Sequence, residues 1–291
     1  MDAPIIFDRA AVRQHRNRAA YTQYKAAPIF EAVADILMER LADVTRTFET
    51  ALDIGGRGFM APRLFDRGID VVQCESAFSL ARKTHFFNIE TVCADEEFLP
   101  FAPHSFDLVV ANLSLHWVND LPGTFAQIRQ ILRPDGLFLA ALPILPTLRT
   151  LKQALEMAEL ALSDGISPRV SPLPTLPSCA GLLQRAGFAL PVVDAEVLPL
   201  HYNSLAGLLQ DLRAAGETNA LALRSHTPPP RMLFPAAGAE MRTAPDGSFT
   251  MPLQMAILTA WAPDQTQPQP LQPGAFTQSL ASTLTNLPDP E

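Results

Sequence analysis

Between residues 50 and 142, short unbroken apolar runs alternate with segments whose apolar residues recur every three or four positions. Apolar runs without polar alternation are typical of strands that are covered on both faces of a parallel sheet. The helical spacing is clearest over residues 121–132, which follow Asp120 as a helix N-cap. The predicted strands are residues 50–54, 69–74, 90–94, 106–111 and 137–142. The alternation predicts an α/β fold with a mostly parallel sheet and helices on both faces.

The same pattern divides the chain into regions. They are an N-terminal helical region (1–48), an α/β core (49–145), C-terminal helices and last strands that complete the fold (146–262), and a Pro- and Gln-rich tail (263–291). We expect residues 1–27 to form helical turns on the surface. Tight turns are predicted at 133–136 and 245–247, and the composition of the tail predicts that it is largely unpacked and disordered.

Composition narrows the function classes. The chain has 291 residues, is 48% hydrophobic and carries a formal net charge of −8. Nucleic acid is a poor partner because its binding needs a basic face, and the chain has only a few arginines close together near its start. No apolar run reaches about 18 residues and no signal peptide is recognisable, so we expect a cytoplasmic protein without a membrane-spanning segment. The three cysteines have no metal-ligand spacing, and no metal site is predicted.

A glycine turn follows the first predicted strand. Gly55, Gly56 and Gly58 come directly after Asp53 and Ile54, where the absence of Cβ atoms would let a ligand approach the backbone. Glu75 ends the second strand, about 20 residues further on, where an acid holds a ribose in doubly wound sheets. The glycines alone also fit a tight loop in an unrelated α/β domain. Together with Glu75 they favour a nucleotide-like ligand.

Other polar residues follow the later strands. Asp95 follows the third predicted strand and Asn112 the fourth, so both should lie with the glycine turn at the carboxyl edge of the sheet. Taken alone, Asp95 is better explained as a solvated loop acid, because Glu96 and Glu97 adjoin it. His116 and Trp117 are candidate catalytic residues, as a base and as a cation-facing ring. The alternative for this pair is structural packing.

These motifs, in this order, resemble class I S-adenosylmethionine-dependent methyltransferases. More narrowly, the chain resembles the assembly-factor family of respiratory complex I, which is linked to hydroxylation of an arginine on a complex I subunit. The matching segments are ADEEFLPF (94–101), FDLVVANLSLHWVNDLP (106–122), LRPDGLF (132–138), SPRVSP (167–172), RAGF (185–188) and DLRAAGETN (211–219). The malonyl-carrier-protein methyltransferases of biotin synthesis are similar in the LSLHW-like segment and in the PDG turn.

The resemblance implies a Rossmann-like class I methyltransferase fold with helical C-terminal insertions, and S-adenosylmethionine as the cofactor. Glu75 would accept hydrogen bonds from the ribose hydroxyls, and Asp95, with Glu96 beside it, from the adenine amino group. The residues implied to bind the cofactor are Asp53, Gly55, Gly56, Gly58, Glu75, Asp95, Glu96, Asn112 and Leu113. The glycine turn is one residue shorter than the Asp-x-Gly-x-Gly-x-Gly usual in such families, which would move the amides that face the methionine part.

Three functions fit these observations. The first is a methyltransferase that acts on a protein side chain or a small molecule. The second, implied by the narrower resemblance, is an assembly factor that binds a complex I subunit as its client and hydroxylates an arginine without methylating it; the acidic chain would suit such a client. The third, a nicotinamide-dependent oxidoreductase, ranks lowest because Gly-x-Gly-x-x-Gly is missing. No His-x-Asp/Glu iron triad with matching spacing is present to support hydroxylation.

Overall fold

The computed structural model describes residues 5–84, 89–163, 165–241, 244 and 248–268. The helices are α1 (Arg9–Ala19), α2 (Ala27–Ala42), α3 (Ala61–Phe65), α4 (Phe78–Thr84), α5 (Leu121–Ile131), α6 (Arg149–Leu162), α7 (Leu176–Arg185), α8 (Leu205–Ala215) and α9 (Leu233–Glu240). The strands are β1 (Thr50–Ile54), β2 (Asp70–Cys74), β3 (Glu90–Val92), β4 (Phe106–Asn112), β5 (Leu132–Pro143), β6 (Ala189–Leu198), β7 (His201–Tyr202), β8 (Phe249–Thr250) and β9 (Leu253–Trp261). The turn predicted at 245–247 and the part of the predicted tail from residue 269 onward lie outside the described residues.

The main sheet has the strand order β3-β2-β1-β4-β5-β9-β6. Strands β1 to β5 pair in parallel, whereas β9 runs antiparallel to its two neighbours, β5 and β6. The predicted α/β class with a mostly parallel sheet is therefore confirmed. Because parallel strands end at the same edge, the carboxyl ends of β1, β2 and β4 lie side by side.

Helices cover both faces of this sheet. On one face, Phe125 of α5 and Leu183 of α7 belong to the same buried cluster as Phe138 of β5. On the other face, Leu37 of α2 and Leu64 of α3 share a cluster with strand residues of β1, β2 and β4. The two-sided cover explains why the strands read as continuous apolar runs in the sequence. Among the described residues, no helix is both long and apolar enough to cross a bilayer.

One predicted turn is part of a strand. Residues 133–136 belong to β5, and the β4–β5 pairing shifts register between Phe106 and Leu108. Asp135 adopts a left-handed φ of 59°, and Arg133 Nη1 donates to Asp107 Oδ1 at 2.9 Å. The chain therefore bends at 133–136, as predicted, but it does so as an irregularity within β5 and not before the strand begins.

The N-terminal helix also departs from expectation. We expected residues 1–27 to form helical turns on the surface, but α1 buries Val12, Ala19 and the whole side chain of Arg16. The preceding segment is held in place as well, since the amide of Asp8 donates to the carbonyl of Ala220 at 2.8 Å. The prediction was wrong because the buried partners of α1 lie far away in the sequence.

A third apolar cluster lies in the C-terminal part of the chain. It joins α6, α8, α9 and the antiparallel pair of strands β7 and β8 through residues such as Leu155, Leu208, Leu233 and Phe249. Helix α6 follows β5 directly, and the carbonyl of Gln254 in β9 accepts from the hydroxyl of Thr147 at 2.9 Å. The C-terminal layer, which consists of α6, α8, α9, β7 and β8, therefore lies beside the carboxyl end of β5.

Replacing Phe138 by Ala should remove a ring from the buried cluster that α5 and α7 form with the sheet. Its ring is fully buried between Phe125 and Phe188, with centroid distances of 5.4 and 5.5 Å. We expect the free energy of unfolding, measured in urea, to fall by about 3–5 kcal/mol because a cavity remains. The control, Phe98→Ala, removes a ring that is 75% exposed and should change stability by no more than about 0.5 kcal/mol. Equal effects of the two substitutions would contradict this account of the core.

Candidate functional site

The glycine turn connects β1 to α3 at the carboxyl edge of the sheet. Gly55 and Gly58 have φ angles of +63° and +85°, which residues with a Cβ rarely adopt. A Cβ on Gly55 would lie 2.6 Å from the Cβ of Ser114, and one on Gly56 would overlap the carboxylate of Asp53. The glycines are therefore required by the turn itself, with or without a ligand.

Asp53 lies fully buried beneath this turn. Its Oδ2 accepts from the amide of Ala61 at 3.1 Å, which joins the turn to the start of α3. Its Oδ1 has no hydrogen-bond partner among the described residues. Burial, together with the nearby charge of Glu75, raises the pKa of Asp53 to about 7.

A buried arginine lies at the ends of β1, β2 and β4. Arg16 of α1 forms an ion pair with Glu96, and its Nη1 lies 3.2 Å from Ser76 Oγ and 3.9 Å from Glu75 Oε1. Its Nη2 donates to the carbonyl of Ser114 at 2.9 Å. Burial acts to lower the pKa of Arg16, but the carboxylates of Glu96 and Glu75 outweigh burial and raise that pKa. The guanidinium is therefore a fixed cation at this edge.

In the acidic segment after β3, the buried carboxylate is that of Glu96, whereas the sequence led us to assign the main contact with adenine to Asp95. Glu96 is fully buried and pairs with both Arg16 and Arg9, whereas Asp95 lies at the rim, where its Oδ1 accepts from Arg9 Nη2 at 2.5 Å. Burial alone would raise the pKa of Glu96, but the two arginines lower it to about 2. Glu96 is therefore ionised at neutral pH.

A second polar cluster contains both catalytic candidates. Glu217 accepts from His116 Nε2 at 2.6 Å, from Trp117 Nε1 at 2.5 Å and from Arg57 Nη2 at 2.7 Å. His116 and Arg57 hold the pKa of this carboxyl well below its usual range, although burial opposes them. His116 Nδ1 has no partner within the described part of the chain. Trp117 also packs edge-on against Phe7, with ring centroids 5.2 Å apart.

Sequence reasoning missed Arg57 and Glu217. Arg57 lies inside the glycine turn with a left-handed φ of 52°, and its guanidinium stacks over the ring of Phe30 at 4.5 Å. Glu217 follows the C-terminal glycine of α8, in the segment DLRAAGETN that carried part of the resemblance. The only available signal was that resemblance, because neither residue belongs to a periodic pattern.

The residues at the carboxyl end of β4 point in different directions. Asn112 is buried, and its Nδ2 donates to the carbonyl of Phe30 in α2 at 3.0 Å. Leu113 has a left-handed φ of 50° and lines a cavity. Ser114 Oγ donates to the carbonyl of Ile54 at 2.5 Å. Asn112 thus anchors α2, whereas Leu113 reaches the cavity.

The cavity has a volume of about 270 Å³ and lies between the ends of β4 and β5, α2 and the C-terminal layer. Its walls are mostly apolar, and they include Phe30, Leu113, Leu151 and Leu155. His116 and Glu217 also line it. Within the described ranges, no group of three or more His, Cys, Asp or Glu side chains is arranged to hold a metal ion.

The residues at the carboxyl edge of the sheet are of the kinds that bind an adenosyl cofactor. Glu75 is buried, and its Oε2 has no hydrogen-bond partner among the residues described, so it can accept from ribose hydroxyls. The turn at Gly55 and Gly56 lets a ligand approach the backbone. In this conformation, however, Arg16 lies against Glu75 and Glu96. A cofactor bound at Glu75 would therefore share these carboxylates with Arg16.

Replacing Asp53 by Asn should make the stability of the protein less dependent on pH. The folded pKa of Asp53 is raised to about 7 from 3.8, so its favourable contribution is full below pH 3.8 and is lost as pH rises through about 7. Between pH 5 and pH 8 we expect Asp53→Asn to gain roughly 2 kcal/mol in unfolding free energy relative to the unsubstituted protein. Urea titrations at each pH measure it.

The control is Asp43→Asn, at the exposed end of α2. It should follow the unsubstituted protein at every pH. Parallel stability curves for Asp53→Asn and the unsubstituted protein would show that Asp53 is not protonated in the folded state.

Comparison with known proteins agrees with this geometry. A family model described as a methyltransferase domain matches residues 52–140. The chain is 35% identical over 288 residues to the arginine-hydroxylase NDUFAF5, mitochondrial, of Danio rerio, and the match covers 95% of this chain and 88% of the relative. It is 34% identical over 269 residues to the malonyl-[acyl-carrier protein] O-methyltransferase of Xylella fastidiosa (strain M23), with 89% of each covered.

A solved structure shares the fold. The crystal structure of the YcgJ protein from Bacillus subtilis matches with a TM-score of 0.57 and 14% identity, and covers 79% of this chain and 98% of that one. At this identity the likeness concerns the fold alone. The sequence relatives say more, because their identity extends along nearly the whole of each protein. The chain belongs to the methyltransferase-domain family that contains the NDUFAF5 arginine-hydroxylases and the malonyl-[acyl-carrier protein] O-methyltransferases.

Proposed function

We propose that this protein is an S-adenosylmethionine-dependent methyltransferase in which His116, oriented by Glu217, takes a proton from an acceptor bound in the cavity. The observation that carries the proposal is the 2.6 Å contact between His116 Nε2 and Glu217 Oε2, with Nδ1 left unpartnered among the described residues. Kinship with an O-methyltransferase supports it. The C-terminal region, residues 146–262, covers the acceptor in this proposal.

The cofactor would be held at the strand edge. Glu75 would accept from the ribose hydroxyls, and the backbone of Gly55 and Gly56 would contact the methionine part once Arg16 has withdrawn. Asp95 lies at the rim of the strand edge, and Glu96 lies inside it. After α1 moves, either carboxylate would be able to accept a hydrogen bond from the adenine amino group. When bound, S-adenosylmethionine supplies an electrophilic methyl group on a cationic sulfur.

Glu217 decides which nitrogen of His116 can act as a base. A carboxylate that is ionised at neutral pH accepts from Nε2–H, so in the neutral ring the proton resides on Nε2 and Nδ1 keeps its lone pair. Trp117 and Arg57 donate to the same carboxylate and prevent it from turning away. Nδ1 then keeps the lone pair that would remove the proton of an acceptor, as in other base and orienter pairs. Because Nδ1 is enclosed by its neighbours in this conformation, the acceptor would reach it only as those neighbours move aside.

The second candidate function is hydroxylation of an arginine on a client subunit of complex I, in which one atom of dioxygen would enter the side chain and the other would leave as water while an external two-electron donor is oxidised. The name of the NDUFAF5 relatives favours it, and so does the site of Arg16, where Glu96, Glu75 and a backbone carbonyl surround a guanidinium. A client arginine in that site would replace Arg16 and exclude the cofactor from Glu75. Binding of S-adenosylmethionine therefore separates the two candidates. A cytoplasmic location stays a prediction for both.

Calorimetric titration with S-adenosylmethionine and S-adenosylhomocysteine tests the cofactor. We expect micromolar binding that Glu75→Ala weakens at least tenfold, because the acceptors for the ribose hydroxyls are removed. The matched control is Glu90→Ala, an exposed acid at the start of the neighbouring strand β3, which should bind as the unsubstituted protein does. A folded sample that binds neither compound would overturn the methyltransferase proposal and leave the client-binding function.

Nuclear magnetic resonance of the imidazole nitrogens tests the role of His116 without an acceptor. At pH 8 we expect His116 to carry its proton on Nε2. His104 is a control within the same chain, because its Nδ1 lies 2.9 Å from the carbonyl of Leu132 and must donate to it. The two rings should therefore show opposite tautomers, with signals assigned from His116→Gln and His104→Gln. A proton on Nδ1 of His116 would rule out the proposed base.

A further inference from the structure

The cavity beside His116 is built for an apolar occupant. Residues of α2, α6, α8 and the segment before β9 line it with aliphatic and aromatic side chains, among them Phe30, Leu151, Leu155, Leu208 and Met251. These residues belong to the buried clusters of the protein. An occupant would therefore continue the packing of an apolar core.

Two charged side chains that line the cavity, Arg169 and Glu217, are held in ion pairs, and a third, Asp211, contacts a hydroxyl. Arg169 donates to both carboxylate oxygens of Glu159, at 3.2 and 2.5 Å. Burial raises the pKa of the Tyr202 hydroxyl, and the neighbouring carboxylate of Asp211 raises it further. Glu217 is held by Arg57 and His116.

Two of the neutral polar side chains that line the cavity are also hydrogen-bonded within the protein. Asn219 donates to the carbonyl of Pro168 at 2.9 Å, and Thr147 donates to that of Gln254 at 2.9 Å. Among the described lining residues, the one buried side-chain nitrogen or oxygen without a partner is His116 Nδ1. A carboxylate in the cavity would thus lose its hydration without an unpaired countercharge to meet it, and a guanidinium would find only Asp211, which already contacts Tyr202, so both are disfavoured relative to an apolar group.

Volume gives the size of the occupant. An apolar cavity of about 150 Å³ is known to take up benzene, so the 270 Å³ found here holds roughly ten carbon atoms. A single apolar side chain of a protein client is too small to fill this space. A small molecule with a hydrocarbon chain or a fused ring system fits it.

We propose that the cavity binds the hydrocarbon part of a small-molecule acceptor, about ten carbons in size, with a neutral, proton-bearing polar group at the part of the wall formed by His116. The identification of this ligand as the acceptor rests on the proposed function above. The apolar occupant itself does not, because it follows from the walls of the cavity. Neither an arginine side chain nor a free dicarboxylate suits these walls.

Calorimetry with 1-decanol as the probe tests the inference on the full chain. We expect micromolar binding to the unsubstituted protein, and no measurable binding of N-acetylarginine amide or malonate at the same concentrations. Leu155→Trp, which fills the cavity from α6, should weaken decanol binding at least tenfold. Leu160→Trp is the matched control, because Leu160 lies on the same helix but is 55% exposed, and it should bind decanol normally.

A second variant keeps the test decisive if Leu155→Trp does not fold. Leu155→Ala enlarges the cavity and should shift the preference from 1-decanol towards 1-dodecanol. The inference would be overturned if the protein did not bind decanol, if Leu155→Trp bound it as tightly as Leu160→Trp does, or if the arginine analogue bound in preference. The last outcome would indicate a polar client.

Titration of the same samples with S-adenosylmethionine separates the two proposals. Cofactor binding without decanol binding would overturn only the apolar acceptor. Decanol binding without cofactor binding would overturn the methyltransferase function and leave an apolar ligand site.

Discussion

The arrangement of the site depends on the burial of Arg16 against Glu96. A charge removed from water must be paired, and here each partner is the other's main compensation, with Arg9, Glu75 and Ser114 completing the set. This requirement holds α1 on the carboxyl edge of the sheet. The N-terminal segment thereby covers the ends of β1, β2 and β4, where ligands bind in α/β folds.

A similar constraint joins the α/β core to the C-terminal layer. Glu217 follows Gly216, whose φ of +78° ends α8 in a left-handed turn, and it meets Arg57 of the glycine turn. A Cβ on Gly216 would come within 3.4 Å of Arg16 and Ala19, so this turn also packs closely on α1. The two ion clusters thus place the glycine turn, α1 and α8 in one contiguous unit, and the cavity forms next to it.

The family to which the chain belongs includes proteins named for two different reactions, so its fold does not decide the activity. What differs between functions must reside in the groups around the strand ends. In this chain those groups are a guanidinium paired within the protein, an oriented imidazole and an apolar cavity. In the proposed function, the guanidinium would share Glu75 with a cofactor, and the imidazole and the cavity would face an acceptor.

By itself, the sequence determined the strands of the core, the glycine turn, the position of Glu75 at the end of β2 and the family. These features depend on local periodicity and on short motifs. It did not reveal that Glu96 rather than Asp95 faces inward. These two residues lie in a loop, where no periodic pattern indicates which side chain is buried. The burial of Arg16 and the meeting of Arg57 with Glu217 were equally hidden. Those pairs join residues 80 and 160 positions apart, and only the packing of α1 and α8 on the sheet edge brings them into contact.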